Sequence, residues 1–199
     1  GKITEIDHLV IHSDGKPLNP NMSKVRPALL ERELKLERVS REQMQKIANS
    51  YYEAIIHNNG KLAPFADECQ RRENGGISAN DRTQTPEEAA KDDFSTFRKM
   101  TCSNQLSTGV MSYIKDINSR RVFAVDKEMG LVFAYSIFRH DGTPKVMKIT
   151  GVPGITEREN KYQAFDLPAA HIFKIRNGKI YEIEAIGYVT EHGIKNGWE

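Results

Sequence analysis

Leu167-Pro-Ala-Ala-His171-Ile-Phe-Lys-Ile-Arg176-Asn-Gly-Lys179-Ile-Tyr-Glu-Ile-Glu184-Ala-Ile-Gly-Tyr188 reads as two strands about one turn. Asn177-Gly178 is the dipeptide that most readily takes a two-residue type I′ turn, in which both central residues need positive φ. A turn of fixed length sets the register, so partners can be counted outwards from it. The count puts Arg176 opposite Lys179, Ile175 opposite Ile180, Phe173 opposite Glu182 and His171 opposite Glu184. Side chains alternate along a strand, so the last three pairs share one face, together with Ala169 and Ile186. That face is largely apolar and is expected to turn inward. It then carries one imidazole beside one carboxylate, a candidate acid–base pair.

The rest of the chain bounds what this hairpin belongs to. A length of 199 residues suits one domain with an extension and is enough for a sizeable core. Lys and Arg number 29 against 27 Asp and Glu, a net charge of +2 with the signs interspersed. No basic stripe marks a nucleic-acid surface. Apolar runs are short, so no membrane span is expected, and Gly1-Lys2-Ile3 lacks signal-peptide character. Cys69 and Cys102 are too few and too far apart for a metal pattern or a disulfide framework. They favour a reducing, cytoplasmic setting.

Residues 1–38 read as an arm: a strand over residues 3–11, a turn-rich stretch over 13–20 and a charged, helical connector over 26–37. The domain proper occupies 39–199. Ser40-Arg-Glu-Gln43 is a capping-box pattern, and Met44, Ile47, Ala48, Tyr51 and Ile55 follow at helical spacing until Asn58-Asn-Gly60. A brief strand is expected over 69–73, a long polar loop over 75–93 and a second helical region over 94–116. The period then changes to two, giving strands over 120–126, 131–140, 145–149, 169–176 and 179–189, with a second long loop over 151–166. Helices followed by an antiparallel meander define an α+β class in which a curved sheet wraps round the helices. The space between them is a natural ligand cavity.

Each chemical candidate has a structural counterpart. His171 titrates near neutral pH and Glu184 could orient it, or the two could be a cross-strand pair without chemistry. Of Arg71 and Arg72, one should point inward on an extended segment, where a guanidinium can hold an oxyanion or simply pair with Glu73 or Asp67. Tyr51, Tyr52 and Tyr113 sit on predicted helices, where a phenol either packs or donates into the cavity. Phe173, Tyr113, Ile186 and Asn74 complete the expected substrate-binding set. Asp126 reads as the cap of the turn that follows it, and His140 as a turn residue. The chain has no Gly-rich phosphate loop, nucleophile elbow or metal-ligand spacing, so neither nucleotide nor metal is expected.

The order capped helix, Phe65-Ala-Asp, Arg72-Glu-Asn-Gly75, second helix, Arg120-Arg-Val-Phe-Ala-Val-Asp126, Gly130-Leu-Val-Phe and the hairpin resembles the SnoaL-like branch of the nuclear-transport-factor-2-like superfamily over residues 40–189. The resemblance implies a cone-shaped α+β barrel of curved, mostly antiparallel sheet around about three helices. It also implies cofactor-independent acid–base chemistry on an apolar small molecule, and a homodimer or higher homo-oligomer formed through the sheet. Within the branch, Glu73-Asn-Gly and His171-Ile-Phe-Lys-Ile are similar to bacterial phenylpropanoid γ-formaldehyde lyases of lignin-dimer catabolism. That match implies a lyase removing water and formaldehyde from a diarylpropane diol, with His171 as acid/base, Glu184 as its orienter, Arg71 or Arg72 as anion stabiliser and Tyr51 or Tyr52 as donor. Non-catalytic ligand binders and assembly subunits share the fold and remain alternatives.

Overall fold

A computed structural model describes residues 1–3, 6, 8–11, 15 and 17–195. The strand expected over 3–11 and the turn expected over 13–20 therefore lie partly outside the described residues, and what is described of 3–11 is irregular. Further along the arm, a 3₁₀ turn at Pro20–Ser23, helix α1 (Pro27–Leu30) and a 3₁₀ turn at Lys35–Glu37 replace the single helical connector. Pro27 starts α1 without a side-chain cap, and four residues are too few to propagate a helix.

Helix α2 (Arg41–Ile56) begins as its sequence demands. The Ser40 hydroxyl accepts from the Gln43 backbone N–H while the Gln43 side chain accepts from the Ser40 N–H. Its buried stripe is Met44, Ala48, Tyr51, Tyr52, Ala54 and Ile55. Strands β1 (Phe65–Glu73) and β2 (Gly76–Ala79) form a hairpin about Asn74-Gly75, both at positive φ. The expected long loop over 75–93 is thus interrupted by β2 and by α3 (Pro86–Lys91), which Thr85 and Glu88 cap reciprocally. The second helical region resolves into α4 (Ser95–Arg98) and α5 (Cys102–Leu106), followed by turns that carry Tyr113.

The meander follows: β3 (Asp116–Asp126), β4 (Leu131–His140), β5 (Val146–Lys148), β6 (Glu157–Glu159), β7 (Phe165–Arg176) and β8 (Lys179–Gly187). Asp126 accepts from the backbone N–H groups of Glu128 and Met129, closing the β3–β4 turn as expected. The six-stranded sheet has the order β2-β1-β8-β7-β4-β3, antiparallel except where β1 runs parallel to β8, and it does not close. The pair β5–β6 forms a separate small sheet. With α2 lying across the concave side, this is the α+β cone that the resemblance implies, as an open sheet rather than a closed barrel.

The arm crosses the outer side of the sheet. Lys174 on β7 is fully buried and its ammonium donates to the carbonyls of Glu31 and Met129, 2.6 Å each, and pairs with the Glu33 carboxylate at 2.7 Å. Arg26 pairs with Glu182 at 2.7 Å and Glu184 at 3.3 Å.

Gly60, after α2, shows how tightly the helices are pressed together. A Cβ there would lie 2.0 Å from the backbone oxygen of Ser103, in α5. Gly60→Ala is expected to lower stability by about 1–3 kcal/mol through overpacking, read as a fall in thermal midpoint. An unchanged midpoint would show that α5 can slide away without cost.

Candidate functional site

The hairpin places the site, but not in the register counted from its turn. Asn177-Gly178 is the expected turn, with both residues at positive φ, and Arg176 faces Lys179 and Ile175 faces Ile180. Then a β-bulge intervenes: Lys174 faces Glu182, Phe173 faces Ile183, Ile172 faces Glu184 and His171 faces Ala185. One extra residue on β8 reverses every side chain beyond it. Ile183 and Ala185 therefore turn inward and the glutamates outward. His171 and Glu184 are not a dyad: the carboxylate pairs with Arg26 of the arm on the outer surface. The counted register buries two glutamates among isoleucines, whereas the bulge turns them to the outer side of the sheet, where Arg26 pairs with both and Glu182 stays buried beneath the arm.

His171 is inside, as expected, and 2% exposed. Its ring stacks on Phe138 and Phe173, 5.7 Å between centroids in each case, lies tilted against Tyr51 and meets Tyr52 edge-on. Nδ1 lies 3.3 Å from the Tyr52 hydroxyl. Burial, assisted by the positive charge of Arg71, pushes the imidazole down to about 3, so it is neutral at physiological pH. It can accept or donate one hydrogen bond but does not carry a proton to an acid step.

A cavity of about 110 Å³ opens at this ring. Tyr51 lines it from α2, Met111, Tyr113 and Ile114 from the turns after α5, Phe138 from β4, and Phe165, Leu167, Ala169 and His171 from β7. Glu73, Asn74, Ala185, Ile186 and Gly187 form the remaining wall. Burial raises the phenols of Tyr51 and Tyr113 well above their ordinary range, which keeps them as neutral donors.

The other expected residues divide. Arg71 points inward and is 1% exposed, whereas Arg72 faces out and donates to Gln70 at 3.1 Å. Tyr52 and Phe173 are fully buried behind His171 and do not line the cavity; Tyr52 holds the imidazole, and an Arg120 guanidinium lies 5.3 Å over its ring. Asn74 reaches the rim, but its amide is spent on Gly187, donating to its carbonyl and accepting from its N–H at 3.0 Å each. Ile186 is on the outer side of β8 beyond the bulge and touches the cavity only where the strand ends. His140 is a buried core residue rather than a turn residue: Nδ1 lies 2.7 Å from the Tyr113 carbonyl and Nε2 3.4 Å from the Asn160 side chain.

Glu73 was not among the expected site residues. It is the one carboxylate among the described lining residues, half-exposed, and its Oε1 lies 3.1 Å from Arg71 Nε. Alternation along β1 from buried Cys69 through Arg71 to Glu73 was the available signal. Behind it, Arg71 donates to Ser78 Oγ at 3.0 Å and to Gln105 Oε1 at 2.6 Å. Gln105 in turn donates to the carbonyls of Ser78 and Phe97 at 2.7 and 2.8 Å.

A cone-shaped domain with a small, mostly apolar chamber reached from the end of its sheet is what these elements define. The chain belongs to the family described as a domain of unknown function, DUF8021, whose profile matches residues 37–187. Among curated proteins none matches. Among solved structures it is similar to an NTF-2 like protein of unknown function from Burkholderia xenovorans LB400, with 12% identity over 79% of this chain and 90% of that one and a TM-score of 0.42. It is similar also to AusH from Aspergillus nidulans, with 11% identity over 75% of this chain and 86% of that one and a TM-score of 0.42. A de novo designed protein with a curved sheet aligns with 12% identity over 74% and 87% of the two chains, TM-score 0.40. Among the described residues no helix is long and apolar enough to cross a membrane.

Proposed function

We propose that the domain takes one small, largely apolar molecule into the cavity and moves a proton on it with its own side chains, as an isomerase- or lyase-type catalyst. The observation that carries this reading is the composition of the wall. One carboxylate, Glu73, and neutral donors on Tyr51, Tyr113 and His171 converge on a chamber that is otherwise apolar. In this reading Glu73 accepts the proton, and the phenols and the imidazole hold an oxygen of the substrate. A positioned proton transfer contributes about 10²–10⁴-fold.

The finer lyase reading, loss of formaldehyde and water from a lignin-derived diarylpropane diol to give a stilbene, is constrained by size. Ligand pockets for drug-sized molecules run to about 300–1,000 Å³. The 110 Å³ here accommodates one ring, so the second would have to rest on the rim near Asn74 and Ile186. A specific observation favours the non-catalytic alternative: the imidazole at about 3 does not serve as a base at neutral pH, and Glu73, the remaining candidate, is held by Arg71 at 3.1 Å.

The test incubates wild type and Glu73→Gln with single-ring ketones, phenols and benzylic alcohols, and with diarylpropane diols, and follows products by mass spectrometry. Expected is turnover of one class that falls by about 10²-fold or more in Glu73→Gln. Stabilisation by ligands with no product from any class would replace the enzyme by a binder.

A further inference from the structure

We infer that Tyr52 is a positioning residue for this cavity, although it does not line it. It fixes His171 as the tautomer that carries its proton on Nε2. The imidazole and Tyr51 then present two donors, and the ligand end they hold is an acceptor oxygen, that of a carbonyl. This deepens the reading above and rests on it.

A neutral imidazole donates at one nitrogen and accepts at the other, and the hydrogen bond made by one nitrogen decides the role of both. The Tyr52 hydroxyl, 3.3 Å from Nδ1, is the one hydrogen-bond partner of His171 among the described residues. In water a phenol titrates at about 10 and an imidazole at about 6.5, so the phenol is the acid of this pair and the ring nitrogen its base. Tyr52 therefore donates to Nδ1, and the proton of the imidazole sits on Nε2. Burial raises the Tyr52 phenol and lowers His171, which disfavours charge on either group and keeps the bond a neutral one. Stacking on Phe138 and Phe173 holds the plane of the ring while Tyr52 meets it edge-on.

Two polar atoms are then left for a ligand. Nε2 of His171 and the hydroxyl of Tyr51 have no hydrogen-bond partner among the described residues, although each residue is only 2% exposed. Neither atom is sealed in, as the unpartnered Nη1 of Arg71 and Oγ of Ser136 are. The surface that remains to them faces the cavity that both residues line. Their rings are neighbours, 5.7 Å between centroids. Donors left unpaired inside a protein are costly, and a carbonyl oxygen, with two lone pairs, satisfies both at once. Glu73 stays on the wall as the proton acceptor, untouched by this arrangement. A dry apolar cavity of about 150 Å³ is known to take up benzene, so about 110 Å³ is the scale of one small ring.

The experiment takes two readings on the full chain. Nitrogen NMR with labelled histidine reads the His171 tautomer, expected with the proton on Nε2 and Nδ1 bare. Calorimetry then compares cyclohexanone with methylenecyclohexane, which has the same shape and no oxygen, on wild type and Tyr52→Phe. Cyclohexanone is expected to bind the variant about three- to tenfold more weakly, the worth of roughly one net hydrogen bond. Methylenecyclohexane should bind the two proteins alike. The infrared carbonyl stretch of bound cyclohexanone should rise in the variant, because its oxygen loses one donor. A proton on Nδ1 in the wild-type protein overturns the inference, and this reading needs no variant to fold. Equal weakening of both ligands in Tyr52→Phe makes Tyr52 a packing residue and overturns it too. In either case the role of Glu73 stands or falls separately, with Glu73→Gln. Binding of neither ligand to wild type overturns the cavity reading and the inference with it.

Discussion

Lys174→Ala is expected to destabilise the domain by about 3–5 kcal/mol, the range for breaking a buried ion pair from one side. The ammonium is fully buried and all three of its protons are used, by two carbonyls and the Glu33 carboxylate. Alanine leaves both carbonyls without their donor, and leaves Glu33, 4% exposed, with Arg176 at 3.3 Å as its remaining cation. Urea unfolding should show a lower midpoint at an unchanged slope. The double variant Lys174→Met with Glu33→Leu should recover part of the loss, because it removes both charges and retains only the carbonyl penalty. If Lys174→Ala unfolds at the wild-type midpoint, the arm is an ornament on the sheet and not part of the folded unit.

His171→Phe is expected to change how stability depends on pH. The imidazole titrates near 3 when folded against an ordinary 6.5. Below about 6.5 the unfolded chain therefore binds a proton that the native one refuses. The stabilising contribution is complete above 6.5 and is lost as pH falls towards 3, with a slope approaching about 1.4 kcal/mol per pH unit. Asp166 and Glu53, whose carboxyls are held low by arginines and hydrogen bonds, add loss of the same sign at more acid pH. Glu182, whose carboxyl is raised by burial, acts in the opposite sense as pH falls, but it is common to both proteins, so the difference between variant and wild type reports on the histidine. Phenylalanine keeps the stacking on Phe138 and Phe173 and leaves the Tyr52 hydroxyl without its partner, a cost of about 1–3 kcal/mol at neutral pH. Unfolding series at pH 7, 6 and 5 should give a flatter profile for the variant than for wild type. Parallel profiles would mean that His171 is solvated.

Local signals located the elements and failed where one residue reset a period. The capping box at Ser40, the strand Leu131–His140 and the Asn177-Gly178 turn were all legible, because each depends on neighbours in sequence. The bulge in β8 was not, since a turn fixes only the first pairs beyond it. The hydrophobic pattern nevertheless held the correction: Ile180, Ile183 and Ala185 form a buried set only if an extra residue falls between the first two. Hence the inward orientation of His171 could be read from its own strand, while its proposed partner could not. Arg71 and Arg72 pose the same problem, and here burial of alternate residues from Cys69 selects Arg71 and brings Glu73 with it. The cavity wall from Met111 to Ile114 lies in turns without a period, which is why only Tyr113 was anticipated there.

A sheet that does not close must end somewhere, and here it ends in two strands that a second polypeptide could in principle extend. At one margin β2 is only four residues long. At the other, β3 runs for eleven residues, long enough to template another chain. Yet its pairing with β4 breaks register twice, between Asn118 and Arg121 and between Val122 and Ala124, and Ser119 sits at positive φ. A straight incoming strand could match only a few of its backbone groups before falling out of step. The irregularities along β3 thus make the longest margin of the sheet a poor seed for aggregation.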